Sequence, residues 1–452
     1  MNHRRDFLKL CGLAGLGLAI PIHPAATRAA EKQDEPYAGP YYVVFNASGG
    51  WDTTYLMDPK GVGEINRLYA QGDILTNGAH TFAPLRKHAQ GGMCNEDFYA
   101  EFGNELLTLN GLDYSVNNHS PGARYMATGK LDSLAYPTFA ALVAACRGAT
   151  CPLAFLTFGN YSATGNLVAM SRVPYLPSLQ KIASADAVEG NERAPYHDQF
   201  ALDRIEQALR DGHEAAAAAP RLPRAARGQN MLYAAQVNSK ALARVTQYIP
   251  KTSPKERLSQ QAEIALASFK AGVCVSANLD IGQFDSHANN DRDQMKLIPE
   301  FLAGIAYLVR RAGELNIRDQ LVVVIQSEMG RTPNYNAGNG KDHWSIGSAM
   351  FLGRGIKGNR VIGATDEKQF AVPLDPLTLK TATDKSDAAT GEKDAGATGG
   401  KTSTGVTSKG IRVRPEHIHQ SLRELAGIAD HPLSQRFPLG LADNEKLQGF
   451  WG

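Results

Sequence analysis

Short apolar runs rich in β-branched side chains alternate along this chain with longer segments of helical periodicity. The strongest run is Leu321 to Ile325, and Tyr41 to Ala47 and Val273 to Leu279 have the same character. Residues 291–315 place apolar side chains three and four positions apart, which is typical of an amphipathic helix. Strands that alternate with helices predict an α/β fold with a mostly parallel central sheet covered on both faces.

Weaker patterns complete this alternation. Shorter strands are predicted at residues 106–109, 152–158 and 349–352, and further helices at residues 121–128, 138–146, 256–270 and 414–428. Helices therefore fall between most consecutive strands, as the crossover connections of a parallel sheet require.

Two segments interrupt the pattern. Residues 191–250 are rich in Ala, Arg, Glu and Gln, with periodic apolar positions broken at Pro220 and Pro223, which predicts a helical insertion. Residues 380–409 consist mainly of Ala, Gly, Thr, Lys and Asp, too polar to bury a core, and are expected to form a flexible low-complexity insertion. Residues 38–452 otherwise read as a single domain.

Composition narrows the class of protein. The 452 residues are 43% hydrophobic and 20% charged, which is ordinary for a globular protein with a large core. A net charge of +2 gives no indication of a nucleic acid partner. Cys146 and Cys151 bracket a short loop, and both a disulfide and two free thiols are compatible with that spacing.

The N-terminus has the features of an export signal. Arg4 and Arg5 precede an apolar run over residues 10–22, and small residues follow near position 29. The paired arginines resemble a twin-arginine signal. The apolar run is too short to span a membrane comfortably and is broken at Pro21. We therefore expect a signal peptide over residues 1–30, a periplasmic or extracellular mature protein, and no stable membrane span after cleavage.

Acidic residues and histidines follow two of the predicted strands. Asp52 lies in a glycine-rich turn after Tyr41 to Ala47, and Asp285 and His287 follow Val273 to Leu279. In an extended segment, side chains two positions apart point the same way, so Asp285 and His287 could bind one ion together. Taken singly, Asp52 could simply cap a turn, and His287 could be hydrogen-bonded to its neighbouring carboxylate.

A third and a fourth group follow the strongest strand. Glu328 lies three residues after Leu321 to Ile325, where burying an unpaired carboxylate would be costly, so either Arg331 or a cation should pair with it. Asp342 and His343 add a second acid–histidine pair nearby. Ligands bind at the carboxyl ends of strands in open α/β sheets. The four groups together predict a site for one or two divalent ions: zinc, manganese or iron, or calcium or magnesium if oxygen ligands dominate.

Candidate catalytic residues lie before a predicted helix. Ser120 precedes Pro121 at the start of this helix, where backbone N–H groups favour an anion and a metal could activate the hydroxyl. Ser120 could equally be a capping residue. His119 could be a ligand, a base or the nucleophile itself. Arg124 and Arg331, together with Lys341, are candidates for holding an anionic group.

The order of these motifs resembles the alkaline phosphatase and sulfatase superfamily. Matched to that order are Asp52 as the first ligand, Ser120 or His119 at the nucleophile position, Asp285 and His287 as ligands of one metal, Glu328 as the acidic ligand and His343 as the last histidine. The motifs GGWD, FDSH, SEMGRTP and GKDHW together resemble a bacterial family of exported proteins of unknown function, DUF1501, which is grouped with that superfamily.

The resemblance implies an alkaline-phosphatase-like three-layer sandwich that carries the two insertions. It further implies an exported metal-dependent hydrolase of phosphate or sulfate esters, with a small-molecule or glycan ester as substrate. Met329 stands where phosphatases carry a histidine, which makes a second metal site poorer. The alternative is a catalytically inactive module that binds an anionic glycan or a protein partner in the same cleft.

Overall fold

A computed structural model describes residues 36–61, 63–149, 151–184, 186–188, 191–218, 241–381 and 410–452. The expected signal peptide therefore lies outside the described residues. So do residues 219–240 of the expected helical insertion and nearly all of the low-complexity insertion.

The secondary structure follows the alternation of the sequence. The strands are β1 Tyr41–Ala47, β2 Leu75–Asn77, β3 His80–Phe82, β4 Leu107–Asp113, β5 Phe155–Thr157, β6 Met170–Ser171, β7 Ala187–Val188, β8 Asn191–Pro195, β9 Ser276–Ile281, β10 Leu321–Gln326, β11 Gly330–Arg331, β12 His343–Trp344, β13 Ile346–Gly353 and β14 Arg360–Ile362. The α-helices are α1 Asn95–Phe102, α2 His119–Thr128, α3 Phe139–Gly148, α4 Leu176–Ala183, α5 Gln199–Ala218, α6 Arg257–Lys270, α7 Asn290–Glu314, α8 Pro415–Leu425 and α9 Pro432–Gln435.

The chain divides into two compact units. The first contains Met1–Val44, Ala140–Leu279 and Gly304–Leu321, although its first residues are not described. Within it, β5 pairs in parallel with both β6 and β9. Cys146 and Cys151 belong to this unit and are not joined by a disulfide. The predicted helical insertion begins here as strand β8 and continues as α5.

The second unit contains Phe45–Phe139, Asp280–Ala303 and Val322–Gly452. Its strand order is β14-β4-β13-β10, in which β14 is parallel to β4 and β13 is antiparallel to both of its neighbours. The predicted class, α/β with helices and a mainly parallel central sheet, is confirmed. Strand β13 runs the other way because no helix lies between β10 and β13 to carry the chain back across the sheet.

Strand β4 is longer than its apolar run predicts. The structure extends it through Asn110 to Asp113, all of it buried. Asn110 is accommodated because its amide donates to the carbonyl of Met57 and its side-chain oxygen accepts from Ser348. A satisfied amide can occupy a buried strand position that hydrophobicity alone would not predict. No helix among the described residues is long and apolar enough to cross a membrane.

Candidate functional site

The site lies entirely within the second unit, at the loops that follow strands and at one helix start. Asp285 and His287 lie in the loop after β9, and Glu328 lies two residues after β10. His343 opens the short strand β12, which pairs antiparallel with β11 and brings His343 opposite Arg331. His119 is the first residue of α2. The turn of the chain after each strand thus presents polar side chains at one edge.

Three imidazoles converge on one carboxylate. Nε2 of His287 and of His343 lie 3.1 and 3.3 Å from Oδ1 of Asp285. Nε2 of His119 lies 3.2 Å from Oδ2 of the same carboxylate. The donor atoms of His119, Asp285 and His343 all lie within 4.8 Å of one another. His119, Asp285, His287 and His343 are called the histidine cluster below. All four are at least partly exposed to solvent.

The other ring nitrogen of each histidine is anchored by an acceptor. Nδ1 of His287 lies 2.7 Å from Asp342 Oδ1, and Nδ1 of His343 lies 2.8 Å from the carbonyl of Asn117. Nδ1 of His119 lies 3.1 Å from Glu328 Oε1. A carbonyl or carboxylate partner requires a hydrogen on Nδ1, so in the neutral ring the lone pair belongs to Nε2. All three lone pairs are therefore directed at the cluster.

This arrangement can accept a cation. Nε2 of His287 and Nε2 of His343 are only 3.0 Å apart. Two lone pairs at this distance repel each other and cannot form a hydrogen bond. Either a proton or a metal ion must lie between them. Three carboxylates, Asp285, Glu328 and Asp342, contact the imidazoles, and a divalent ion would offset part of their charge. Nitrogen and oxygen donors whose second ring nitrogen is held by a carboxylate or carbonyl are the usual surroundings of zinc and related ions.

Charges within the cluster shift two pKa values. The hydrogen bond to Glu328 raises the pKa of His119 above its ordinary value, against the opposing effect of burial, and Asp285 adds to the increase. For Asp285, burial favours the neutral acid, but the hydrogen bond and charge of Arg331 and the neighbouring imidazoles together lower its pKa to about 2. Asp285 is therefore ionised, and the raised pKa of His119 means that a metal competes with a proton for its Nε2.

Glu328 anchors His119. It is buried, and Oε1 accepts both from His119 and from the backbone N–H of Gly49 at 2.7 Å. Its second oxygen, Oε2, has no hydrogen-bond partner among the described residues. Glu328 was predicted as a metal ligand with Arg331 as its alternative partner; the structure instead pairs Arg331 with Asp285 and uses Glu328 to orient an imidazole.

Glycines permit the close approach of these loops. Gly49 has a φ of +118°, and a Cβ at that position would lie 2.5 Å from the backbone nitrogen of Asp285. A Cβ on Gly122 would lie 2.6 Å from the carbonyl oxygen of Glu328. Neither position has room for a side chain. Helix α2 can therefore bring His119 within hydrogen-bonding distance of Glu328.

Arg331 connects the loops of the site from the protein interior and is not exposed to solvent. Its guanidinium is fully buried and donates to the carbonyls of Gly49, Gly50 and Lys341, with Arg331 Nη2 also 2.8 Å from Asp285 Oδ1. Burial lowers the pKa of Arg331 and its acidic neighbours oppose that shift. The expectation that Arg331 holds a substrate anion does not fit these contacts, because its donors are engaged within the protein.

Asp52 is not brought into the histidine cluster. One of its oxygens accepts from the backbone and side chain of Thr54. The other accepts from Asn290 and lies 2.7 Å from the ammonium of Lys341. Asp52 was expected to be the first metal ligand. In the structure its charge is balanced by a lysine, which also removes Lys341 from the candidates for binding an anion.

The side chains of Ser120 and Arg124 make no hydrogen bond or ion pair to the cluster. Ser120 is exposed, and its hydroxyl makes no hydrogen bond to any described residue. The Nε of Arg124 donates to the carbonyl of Leu131, 2.8 Å away. Of the two alternatives for the position before the helix, His119 is the one whose side chain enters the cluster.

We predict that Asp342→Asn weakens metal binding without removing it. An amide can present its N–H to Nδ1 of His287, which favours the wrong tautomer and turns the lone pair away from the cluster. The loss of such an outer partner typically costs about 10–100-fold in metal affinity. Zinc titration of the apoprotein would measure it. Lys446→Ala, which removes only an exposed ion pair with Asp443, serves as the control and should leave affinity unchanged. An unchanged affinity in Asp342→Asn would show that Asp342 does not orient a ligand.

A protein-family model matches most of the chain. The model described as "Protein of unknown function (DUF1501)" covers residues 47–394, which include every residue of the histidine cluster. No curated protein sequence matches the chain.

Several solved structures resemble the chain at low identity. Ps i-CgsB is 9% identical with a TM-score of 0.40, covering 92% of this chain and 76% of its own. PsFucS1 sulfatase from Pseudoalteromonas sp. is 11% identical with a TM-score of 0.35, covering 93% and 75%. Lipoteichoic acid synthase LtaP from Listeria monocytogenes is 10% identical with a TM-score of 0.32, covering 76% and 75%. These identities and TM-scores are too low to carry a functional argument. Any conclusion about function therefore rests on the side chains of the cluster.

Proposed function

We propose that this chain, which belongs to the DUF1501 family, is an exported metal-dependent hydrolase of phosphate or sulfate esters. The observation that carries the proposal is the convergence of three anchored imidazoles on Asp285. His119, His287, His343 and Asp285 would hold one divalent ion, and three nitrogen donors with one carboxylate favour zinc, manganese or iron over calcium and magnesium. Such an ion would supply Lewis-acid polarisation of an ester oxygen.

The residues around the cluster have distinct tasks in this proposal. Asp342, Glu328 and the carbonyl of Asn117 fix the orientation of the imidazoles, and Arg331 keeps Asp285 ionised and in place. His119 begins α2, so the positive end of the helix dipole lies beside the cluster and favours an anionic group there. Because the hydroxyl of Ser120 is not part of the cluster, we infer that water, and not Ser120, attacks the ester.

The test is hydrolysis of aryl phosphate and aryl sulfate esters by zinc- or manganese-loaded protein. Release of phosphate or sulfate that is abolished by a chelator is the expected result. Ser120→Ala should retain this activity, because the Ser120 hydroxyl makes no hydrogen bond to the cluster. No turnover over a broad panel of esters would contradict the proposal.

The engagement of Arg331, Lys341 and Arg124 in internal contacts favours one second candidate. A hydrolase would use free cationic side chains to stabilise the reacting ester group. A module that binds an anionic glycan or a protein partner through the cluster, without catalysis, would not need them for that purpose. It predicts metal-dependent binding of a sulfated glycan with no product formed, and this outcome separates it from the hydrolase.

We propose that export follows the twin-arginine route and places the protein in the periplasm or outside the cell. Arg4 and Arg5 support it. Folding before export would let the cluster select its ion in the cytoplasm. Replacing both arginines by lysine should retain the protein in the cytoplasm, and continued secretion of that variant would exclude this route.

A further inference from the structure

Asn336 connects the two loops that carry most of the histidine cluster. Its side-chain NH2 group donates to the backbone carbonyl of His287, 2.9 Å away, and to Asp342 Oδ1, 3.1 Å away. Its side-chain oxygen accepts from the backbone N–H groups of Gly338 and Gly340, at 2.9 and 3.0 Å. The amide thus uses both of its donor hydrogens and both lone pairs of its oxygen.

The backbone fixes the orientation of this amide. The oxygen and the NH2 group of an asparagine have nearly the same shape, so only their partners decide which way the amide faces. The N–H groups of Gly338 and Gly340 can only donate, so the atom that faces them is the oxygen. The NH2 group of Asn336 must then face Asp342 and the carbonyl of His287.

Asp342 Oδ1 accepts two hydrogen bonds. The NH2 group of Asn336 and Nδ1 of His287, which is 2.7 Å away, approach the same oxygen atom. The hydrogen bond from Asn336 therefore holds in place the acceptor that keeps the hydrogen on Nδ1 of His287. Because the same NH2 group also holds the backbone carbonyl of His287, Asn336 fixes both the ring partner and the main chain of that residue.

The Nδ1 acceptors of the three imidazoles differ in exposure. His343 is anchored by a backbone carbonyl, and His119 is anchored by Glu328, whose side chain is only 5% exposed. The side chain of Asp342 is 56% exposed. An exposed carboxylate exchanges a single partner readily for water, so its contacts are weak unless several groups hold it. Asn336 thus supplies for Asp342 the restraint that burial supplies for Glu328.

We propose that Asn336 is a positioning residue of the metal site, which holds Asp342 against His287 and so keeps the Nε2 lone pair of His287 directed at the cluster. Asn336 does not contact the ion in this arrangement and acts through Asp342. The proposal rests on the proposed function in what it says about metal affinity, whereas the hydrogen bond of the His287 ring can be measured without metal.

Asn336→Asp removes the donor and keeps the turn. A carboxylate of the same size still accepts from Gly338 and Gly340, but it places an acceptor against Asp342 and the carbonyl of His287. Asn334→Asp is the matched control, because it adds the same charge to the same loop. Asn334 is exposed, and its side chain makes no hydrogen bond to a described residue.

Two measurements on the full chain test the proposal. Zinc titration of the apoprotein should show that Asn336→Asp binds zinc about 10-fold more weakly, at the lower end of the range for outer partners. Nuclear magnetic resonance of zinc-free protein with isotope-labelled histidine should show the Nδ1–H signal of His287 broadened by exchange with water. The Nδ1–H signal of His343 should stay sharp, because its acceptor is a backbone carbonyl. Asn334→Asp should match wild type in both measurements.

The outcomes separate this proposal from the proposed function. Wild-type protein that binds no zinc would contradict the proposed function, and the His287 signal would still test the role of Asn336. An unchanged His287 signal in Asn336→Asp would overturn that role, whatever the zinc affinity. Loss of the His287 and His343 signals together would show that Asn336 only holds the loops together, which is equally contrary to the proposal.

Discussion

Asp285→Asn is expected to lose tight metal binding and, with it, measurable ester hydrolysis. All three imidazoles of the cluster approach Asp285, at 3.1 to 3.3 Å. The amide removes the negative charge that offsets the metal, while its similar shape leaves the packing intact. Because Asp285 would bind the ion directly, the loss of affinity should exceed the roughly 10–100-fold cost of removing an outer partner.

Zinc titration of the apoprotein and hydrolysis of an aryl ester by the loaded protein measure the two effects. Ser120→Ala is the matched control, because Ser120 is exposed near the cluster and makes no hydrogen bond there. Wild-type affinity in Asp285→Asn would show that the imidazoles bind the ion without this carboxylate, or that the ion lies elsewhere.

Arg331→Met is expected to destabilise the fold by about 3 kcal/mol or more, because three buried carbonyls lose their donor, at a cost of about 1–3 kcal/mol each. The guanidinium is fully buried, and the carbonyls of Gly49, Gly50 and Lys341 would lose their donor. The loss of Asp285 as partner contributes less, because that carboxylate is 41% exposed and water can replace the arginine. Since a typical domain is stable by about 5–15 kcal/mol, the variant would be close to unfolding.

Urea unfolding of wild type, Arg331→Met and Arg331→Lys would measure this effect. Lysine keeps the charge but cannot bridge several acceptors as a planar guanidinium does, so it should fall between the other two proteins. Added zinc should recover part of the stability of Arg331→Met, because an ion at the cluster compensates Asp285. A loss below about 1 kcal/mol would mean that these loops hold together without Arg331.

The strands and helices with a clear apolar periodicity could be predicted from the sequence. Strand β1 has the predicted bounds, and helix α7 begins and ends within one residue of its prediction. Apolar periodicity alone does not encode the direction of β13, which follows instead from the lack of a crossover helix between β10 and β13. Strand β4 was predicted too short, because its polar residue Asn110 is buried only by virtue of hydrogen bonds to distant segments.

The candidate site could be predicted in its residue types more than in their roles. Asp285, His287 and His343 were expected as ligands and do come together. Glu328 and Asp342 were expected as ligands as well, but each is hydrogen-bonded to a histidine ring. That distinction depends on which atom of a ring faces which oxygen, and residue spacing does not encode it.

Two further features could not be read from the sequence alone. The partner of His343 is a backbone carbonyl, which any residue at position 117 would supply. Asp52 follows a strand end as a ligand would, yet it pairs with Lys341, more than 280 positions away in the chain. A long-range ion pair of this kind appears only once the chain is folded.

X-ray absorption spectroscopy of the zinc-loaded protein tests most directly whether one ion is bound by the three histidines and Asp285. The expected result is one zinc per chain with nitrogen and oxygen neighbours at about 2.0–2.2 Å, and scattering from three imidazole rings that falls to two in His119→Ala. Protein that retains no zinc, or zinc with fewer than three imidazoles that is unaffected by His119→Ala, would contradict it.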